Sequence, residues 1–177
     1  MRGILKAARF ASVKHVSQKR KGAAGEPYFN HLIEVAELVS RAISEPDANV
    51  IAAAFLHDTV EDTKTSMEEL IEAFGPDIAG LVKEVTDDKS LPKAERKELQ
   101  VEHAPTISAR AQTIKIADKI SNLRSIAFTP PEGWDLRRKQ EYFAWAKRVV
   151  DACSAPNPFL KTEFERTFQE VRAAVRD

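Results

Sequence analysis

DANVIAAAFLHDTVED, residues 47–62, decides how the rest of the chain is read. Asp47 is a favoured helix cap, because its side-chain oxygen can accept from the backbone N–H groups of a first turn. The run through Ala52, Ala53, Phe55 and Leu56 is apolar on every side, which predicts a helix buried almost all round. His57 and Asp58 end that helix, and Glu61 and Asp62 follow one turn later. If the helix continues, His57 lies below Glu61 and Asp58 below Asp62, with Cβ atoms roughly 5–6 Å apart. Acidic side chains oppose the dipole at a helix C-terminus, so their presence there favours a chemical reason over a solvated end.

Outward from this stretch almost every segment has helical periodicity. Leu5, Ala8, Ala11, Val13 and Val16 predict a helix over 4–19, broken by a polar loop from Gly22 to Pro27. Phe29, Leu32, Val35, Ala36 and Val39 form a second amphipathic helix that ends before Pro46. Thr65 or Ser66 opens a fourth, with Glu68 or Glu69 three residues on as in a capping box, and Gly75-Pro76 stops it. A short helix over 78–85 precedes the polar turn Asp87-Asp88-Lys89, then a charged helix runs over about 92–103. After Pro105, Ile114, Ile116, Ile120, Leu123 and Ile126 mark a long helix carrying Asp118. Helices over 136–152 and 160–175 flank Pro156 and Pro158, after a loop at Thr129 to Gly133. No stretch alternates with period two. The expectation is a compact all-α bundle of eight to ten helices, one domain over 1–177, with the segment 159–177 packed on it as a C-terminal helix.

Composition excludes several classes. Lys+Arg and Asp+Glu balance at 27 each, which argues against coating a nucleic acid polymer but leaves room for a local cationic pocket. The longest apolar run, near Val50 to Leu56, is too short to span a bilayer, and no signal-peptide core follows Met1. A lone cysteine, Cys153, rules out an internal disulfide and fits a reducing cytoplasm; its simpler reading is a buried apolar residue. A homo-oligomer is left open.

His31, His57, Asp58 and Asp118 together are a ligand set suited to Mn²⁺, Fe²⁺ or Zn²⁺. With Glu61 and Asp62 they would gather four carboxylates, which repel or take up protons unless a cation sits among them. Two basic groups stand nearby in sequence: Lys19-Arg20-Lys21, and Lys93, Arg96 and Lys97. Either can meet phosphate oxygens, Arg through two parallel hydrogen bonds. Each feature also has a plainer reading: His31 as a core histidine, Asp118 as an exposed helix charge, His15 and His103 as structural or surface residues. Trp134, Tyr142 and Trp145 read as core or rim aromatics.

The order His31, His57-Asp58, Asp118 matches the metal-binding pattern of the HD-domain phosphohydrolases. The segments GEPY (25–28), AFLHDTVEDT (54–63), EVTDDK (84–89), ADK (117–119), NLR (122–124), PEGW (131–134) and EYF (141–143) resemble the hydrolase domain of RelA/SpoT-type alarmone enzymes. That resemblance spans about residues 5–150, and since no synthetase, TGS or ACT region follows, it is to a stand-alone small alarmone hydrolase of the metazoan SpoT-homologue kind. It implies that His31, His57, Asp58 and Asp118 hold one divalent ion, usually manganese. It implies that Glu61 and Asp62 orient or activate the attacking water, that Arg20 stands beside metal and phosphates, and that Lys21, Lys93 and Arg138 are substrate-side cations. Asn122 and Tyr142 would surround the nucleoside. The implied reaction removes the 3′-pyrophosphate from ppGpp or pppGpp to give GDP or GTP and pyrophosphate, as part of a stringent response.

Two positions depart from the family's habit: Leu32 follows His31 where proline is common, and Ile120-Ser121 replaces an aromatic-containing pair. Neither removes a ligand. Ser121 adjoins Asn122 and is therefore placed to alter the nucleoside pocket. The alternatives are the same chemistry on a ppApp-type alarmone or the 2′-phosphate of NADPH, and a non-catalytic nucleotide-binding regulator.

Overall fold

The structure, a computed structural model, describes residues 1–22, 24–44 and 47–175. Among these residues ten helices follow one another: α1 (Arg2–Lys14), α2 (Phe29–Ala42), α3 (Ala48–Leu56), α4 (Thr59–Asp62), α5 (Met67–Phe74), α6 (Pro76–Val85), α7 (Lys93–His103), α8 (Ala109–Phe128), α9 (Leu136–Ala152) and α10 (Pro158–Ala174). Among the described residues there is no strand, only isolated bridges between Lys19 and Pro27 and between Gly22 and Pro131. The fold is the all-α bundle expected from the sequence.

Local chemistry sets most boundaries. Asp47 Oδ1 accepts from the backbone N–H of Asn49 at 3.0 Å and of Val50 at 3.3 Å, opening α3. Ser66, Ser108, Asp135 and Asn157 open α5, α8, α9 and α10 in the same way. Gly75, at φ 83°, ends α5 in a backbone region that disfavours a Cβ, and Pro76 then starts α6. Pro46, expected beyond the end of α2, lies outside the described residues.

The first helix is shorter than its periodicity predicts, ending at Lys14 rather than near residue 19. The reason lies in the returning chain. Tyr28 N–H donates to the Gln18 carbonyl at 3.0 Å and Arg20 N–H to the Glu26 carbonyl at 2.8 Å. Those groups satisfy backbone that a longer helix would have used internally. Lys19-Arg20-Lys21 consequently lies in a loop rather than at a helix end.

Two helices form the centre. In α3, Val50, Ala52, Ala53, Ala54 and Leu56 are buried, and α3 packs against α1, α2, α6 and α8. In α8, Ala111, Ile114, Ile116, Ala117, Ile120 and Leu123 are fully enclosed, and α2, α3, α6, α9 and α10 surround it. Each buried Ile or Leu contributes about 1.5–3 kcal/mol, while alanines at 53, 54 and 117 keep the two backbones close. This core places the end of α3, the start of α2 and the middle of α8 at one spot.

Candidate metal centre and nucleotide cleft

His31 comes from the first turn of α2, His57 from the end of α3 and Asp118 from the middle of α8. One ligand atom of each lies within 4.8 Å of the other two. Both imidazoles are buried, and both Nε2 atoms lack a hydrogen-bond partner. Asp118 Oδ1 stands 3.3 Å from His31 Nε2 and 3.8 Å from His57 Nε2. Asp58 Oδ2 stands 3.5 Å and 3.0 Å from the same two nitrogens. Two buried nitrogens aimed at two carboxylate oxygens form a donor set that fits a divalent ion.

The electrostatics agree. Burial opposes charging His57, yet Asp58 and Asp118 raise its pKa well above the usual imidazole value. Burial likewise works against the carboxylates, but His57 and His31 hold Asp58 well below the ordinary range. Lys119 and both imidazoles do the same for Asp118. The acids remain charged and draw in a positive charge, a role a cation would fill.

Supporting contacts orient the donors. His57 Nδ1 donates to the Ala54 carbonyl at 2.8 Å, leaving Nε2 for the site. The Tyr28 hydroxyl donates to Asp58 Oδ2 at 2.5 Å. Lys119 Nζ holds Asp118 Oδ2 at 2.9 Å, and Asn122 Nδ2 donates to Asp118 Oδ1 at 2.5 Å. Lys119, almost wholly buried, is pushed down by burial, but Asp118 raises its pKa above the usual value.

Glu61 and Asp62 do not continue α3. His57 caps α3, Asp58 stands at the N-cap of α4, and Asp62 N–H donates to the Asp58 carbonyl at 2.8 Å. The break brings the acidic pair to the mouth of the same cleft. Burial, then Asp58 and Asp87, push Glu61 up to about 7, while Asp87 N–H donates to its Oε2 at 3.2 Å. A carboxyl poised near neutral pH suits proton transfer. Asp62 pairs with Lys89 and accepts from Gln18 Nε2 at 3.0 Å.

A cavity of about 360 Å³ lies over the centre, lined by His57, Asp58, Glu61, Asp118, Lys21 and Lys93 among others. It runs into a second of about 420 Å³ that reaches Arg20, Trp134 and Arg138. Asn122 and Tyr142 line both. Arg20 Nη2 donates to Asn122 Oδ1 at 3.0 Å, and the Arg138 guanidinium lies 4.5 Å from the Trp134 ring centroid. Lys93 is held below its usual pKa by burial and then by Arg138, Lys21 and Arg96. Such crowding of cations is the reverse of a stable apo surface and is relieved by an anion such as phosphate. A larger groove of about 640 Å³ between α9 and α10 contains none of the expected site residues.

Every expected site residue except His31 lines one or both of these adjoining cavities, and His31 stands behind them against Asp58 and Asp118. Ser121 is fully buried and lines neither cavity; its hydroxyl meets His31, Glu34 and Arg20, and it reaches the nucleoside side only through Arg20, which donates to Asn122. Residue spacing along α8 could not reveal this, because the contact depends on how α2 packs across it.

Three further residues stand beside the site; the sequence reads His15 as structural or surface and Trp145 as a core or rim aromatic, and does not single out Lys115. His15, left as structural or surface, is buried, stacks on Tyr28 with ring centroids 5.2 Å apart, and bonds Gln18 Oε1 through Nδ1 at 2.6 Å. Lys115, one turn before Asp118, is buried and lines the cleft. Trp145 accommodates Lys97 and Lys119 over its ring, each 4.6 Å from the centroid. Cys153 is buried, as its simpler reading held, and burial pushes its thiol pKa up.

The HD domain family matches residues 7–144. A guanosine-3′,5′-bis(diphosphate) 3′-pyrophosphohydrolase MESH1 from Xenopus tropicalis is 48% identical over 97% of this chain and 96% of its own length. The Homo sapiens protein of the same name is 47% identical over 94% of this chain and 93% of its own. A solved structure described as a metazoan orthologue of SpoT that hydrolyses ppGpp superposes with a TM-score of 0.91, at 44% identity and covering 96% of each chain. By sequence and fold alike, this chain belongs to the HD domain family, within its group of small RelA/SpoT-type hydrolases.

Proposed function

We propose that this protein is a metal-dependent hydrolase that removes the 3′-pyrophosphate from ppGpp or pppGpp, giving GDP or GTP and pyrophosphate. The observation that carries this reading is the pair of buried, unpartnered Nε2 atoms of His31 and His57 facing Asp58 and Asp118 at the floor of a cation-rich cleft. Relatives matching nearly the whole chain are named for this activity.

His31, His57, Asp58 and Asp118 would hold the ion, and manganese is the ion we assign. Bound there, it supplies Lewis acidity toward a phosphoryl oxygen and makes water more acidic. Glu61 accepts a proton from the attacking water, and Asp62, held by Gln18 and Lys89, fixes its approach. Water adds to the phosphorus attached to the 3′ oxygen, the P–O3′ bond breaks, and the 3′ oxygen takes a proton to become the hydroxyl of GDP or GTP. Arg20, Lys21 and Lys93 bind the pyrophosphate, whose charge they neutralise. Arg138 meets the phosphates on the nucleoside side, while Asn122 and Tyr142 flank the nucleoside.

We read 1–177 as one HD-type hydrolase domain, with α10 packed on α8. No helix among the described residues is long and apolar enough to cross a membrane, and we place the enzyme in the cytoplasm, where it would take part in a stringent-type response.

The test is incubation of the purified, Mn²⁺-loaded protein with ppGpp, with and without chelator, and identification of products. Pyrophosphate release that chelator abolishes supports the reading; intact ppGpp overturns it. Parallel reactions with ppApp and NADPH rank the substrates, and a tenfold preference corresponds to about 1.4 kcal/mol in the transition state.

A further inference from the structure

The Ser121 hydroxyl has a complete set of partners. A serine hydroxyl has one hydrogen to donate and two lone pairs. Glu34 Oε2 lies 2.5 Å from Oγ and, as a carboxylate, only accepts; it therefore takes the hydrogen. The lone pairs face His31 Nδ1 at 2.8 Å and Arg20 Nη1 at 3.3 Å, and the guanidinium can only donate. His31 Nδ1 must consequently carry a hydrogen, so in the neutral imidazole that a metal ligand must be, Nε2 is the bare nitrogen facing Asp58 and Asp118.

The placement follows from the helices. His31 and Glu34 are three apart on α2 and share a face; Asp118 and Ser121 are three apart on α8 and share the facing one. The bridge from Ser121 to His31 and Glu34 thus runs parallel to the contact between His31 and Asp118. Glu34 is itself fixed through Oε1 by Arg124 Nη1 at 2.9 Å, and Arg124 reaches Glu163 on α10 at 2.6 Å. His57 obtains the same tautomer from a backbone carbonyl, which no side-chain substitution at that position removes. His31 obtains it from a side chain alone.

We propose that Ser121 is a positioning residue for His31, its hydroxyl linking Glu34 to the imidazole so that Nε2 is presented to the divalent ion. The inference rests on the reading of His31 as a metal ligand. Outer partners of this kind fix a ligating histidine's tautomer and orientation, and losing them typically costs 10–100-fold in metal affinity. Ser121 also braces Arg20, so one buried hydroxyl aligns a metal ligand and a phosphate-side cation.

The experiment titrates chelator-stripped protein with Mn²⁺ alone by calorimetry, for wild type, Ser121→Ala, Ser121→Thr and Glu34→Gln, with circular dichroism confirming the fold. The ¹⁵N signals of His31 are recorded alongside. Ser121→Ala should bind Mn²⁺ about tenfold or more weakly and lose the single Nδ1–H tautomer. Ser121→Thr, which keeps the hydroxyl, should stay close to wild type, and Glu34→Gln should fall between. Wild-type protein that binds no Mn²⁺ overturns the metal reading itself. Wild type that binds, with Ser121→Ala binding equally or retaining the tautomer, overturns the relay alone. Equal losses in the Ala and Thr variants also count against the hydroxyl. If Ser121→Ala does not fold, Glu34→Gln decides: unchanged affinity there overturns the proposal.

Discussion

Gln18 Nε2 donates to Asp62 Oδ2 across 3.0 Å, while Gln18 Oε1 is held by the buried His15 imidazole at 2.6 Å. Asp62, the carboxylate we propose to fix the attacking water, is thus tied through an amide to the end of α1. Gln18→Met should leave Mn²⁺ content unchanged and lower kcat by roughly ten- to a hundredfold, because displacement of a group near the reacting atoms has that cost. Steady-state kinetics beside elemental analysis check this; unchanged kcat would remove Gln18 from any supporting role.

Glu61 gives a pH prediction. Burial and neighbouring acids raise its folded pKa from 4.5 to about 7. Between those values the folded protein binds more protons than the unfolded chain, so metal-free stability falls as pH rises through that window. The loss amounts to up to about 3 kcal/mol, since each pKa unit corresponds to about 1.4 kcal/mol. Glu61→Gln should therefore raise the metal-free Tm at pH 8, leave it little changed at pH 4, and abolish ppGpp hydrolysis at both. A Tm gain equal at the two pH values would show that the carboxyl is not strained.

Lys115 should behave in the opposite sense for stability and activity. It has no hydrogen-bond acceptor or ion-pair partner among the described residues, and burial holds its pKa down to about 8. Keeping that charge buried at pH 7 costs up to about 3 kcal/mol by the same conversion. Lys115→Met should raise Tm in thermal melts and raise KM for ppGpp, because Asp87 and Asp118 offset the buried cation only in part and entering phosphate would complete its compensation. A raised Tm with unchanged KM would leave the lysine without a part in binding.

Removing a ligand should remove the ion. Asp58→Ala or Asp118→Ala should yield folded protein that elemental analysis finds free of Mn²⁺, with hydrolysis lost, while His103→Ala, on the exposed end of α7, should keep both. Retained metal in Asp118→Ala would exclude it from the ligand set.

Gly22 anchors the basic loop. A Cβ there would collide with the Thr129 carbonyl oxygen, which belongs to the backbone and cannot swing aside. Gly22→Ala should destabilise by about 1–3 kcal/mol and weaken substrate binding by shifting Arg20 and Lys21, measurable as a lower denaturation midpoint and a higher KM.

The amino-acid order alone determined the helical layout, since apolar residues repeat at helical spacing and Asp47, Ser66 and Pro76 mark ends by their own hydrogen-bonding or steric character. It also supplied His31, His57-Asp58 and Asp118, because few residue types bind divalent ions and their order is distinctive. Only the tertiary structure decided that α1 stops at Lys14, that His15 is buried behind Tyr28, and that the Ser121 hydroxyl meets His31, Glu34 and Arg20. Periodicity tells which side chains share a face of one helix; which atoms meet across two helices, such as Ser121 and Glu34, depends on how those helices pack.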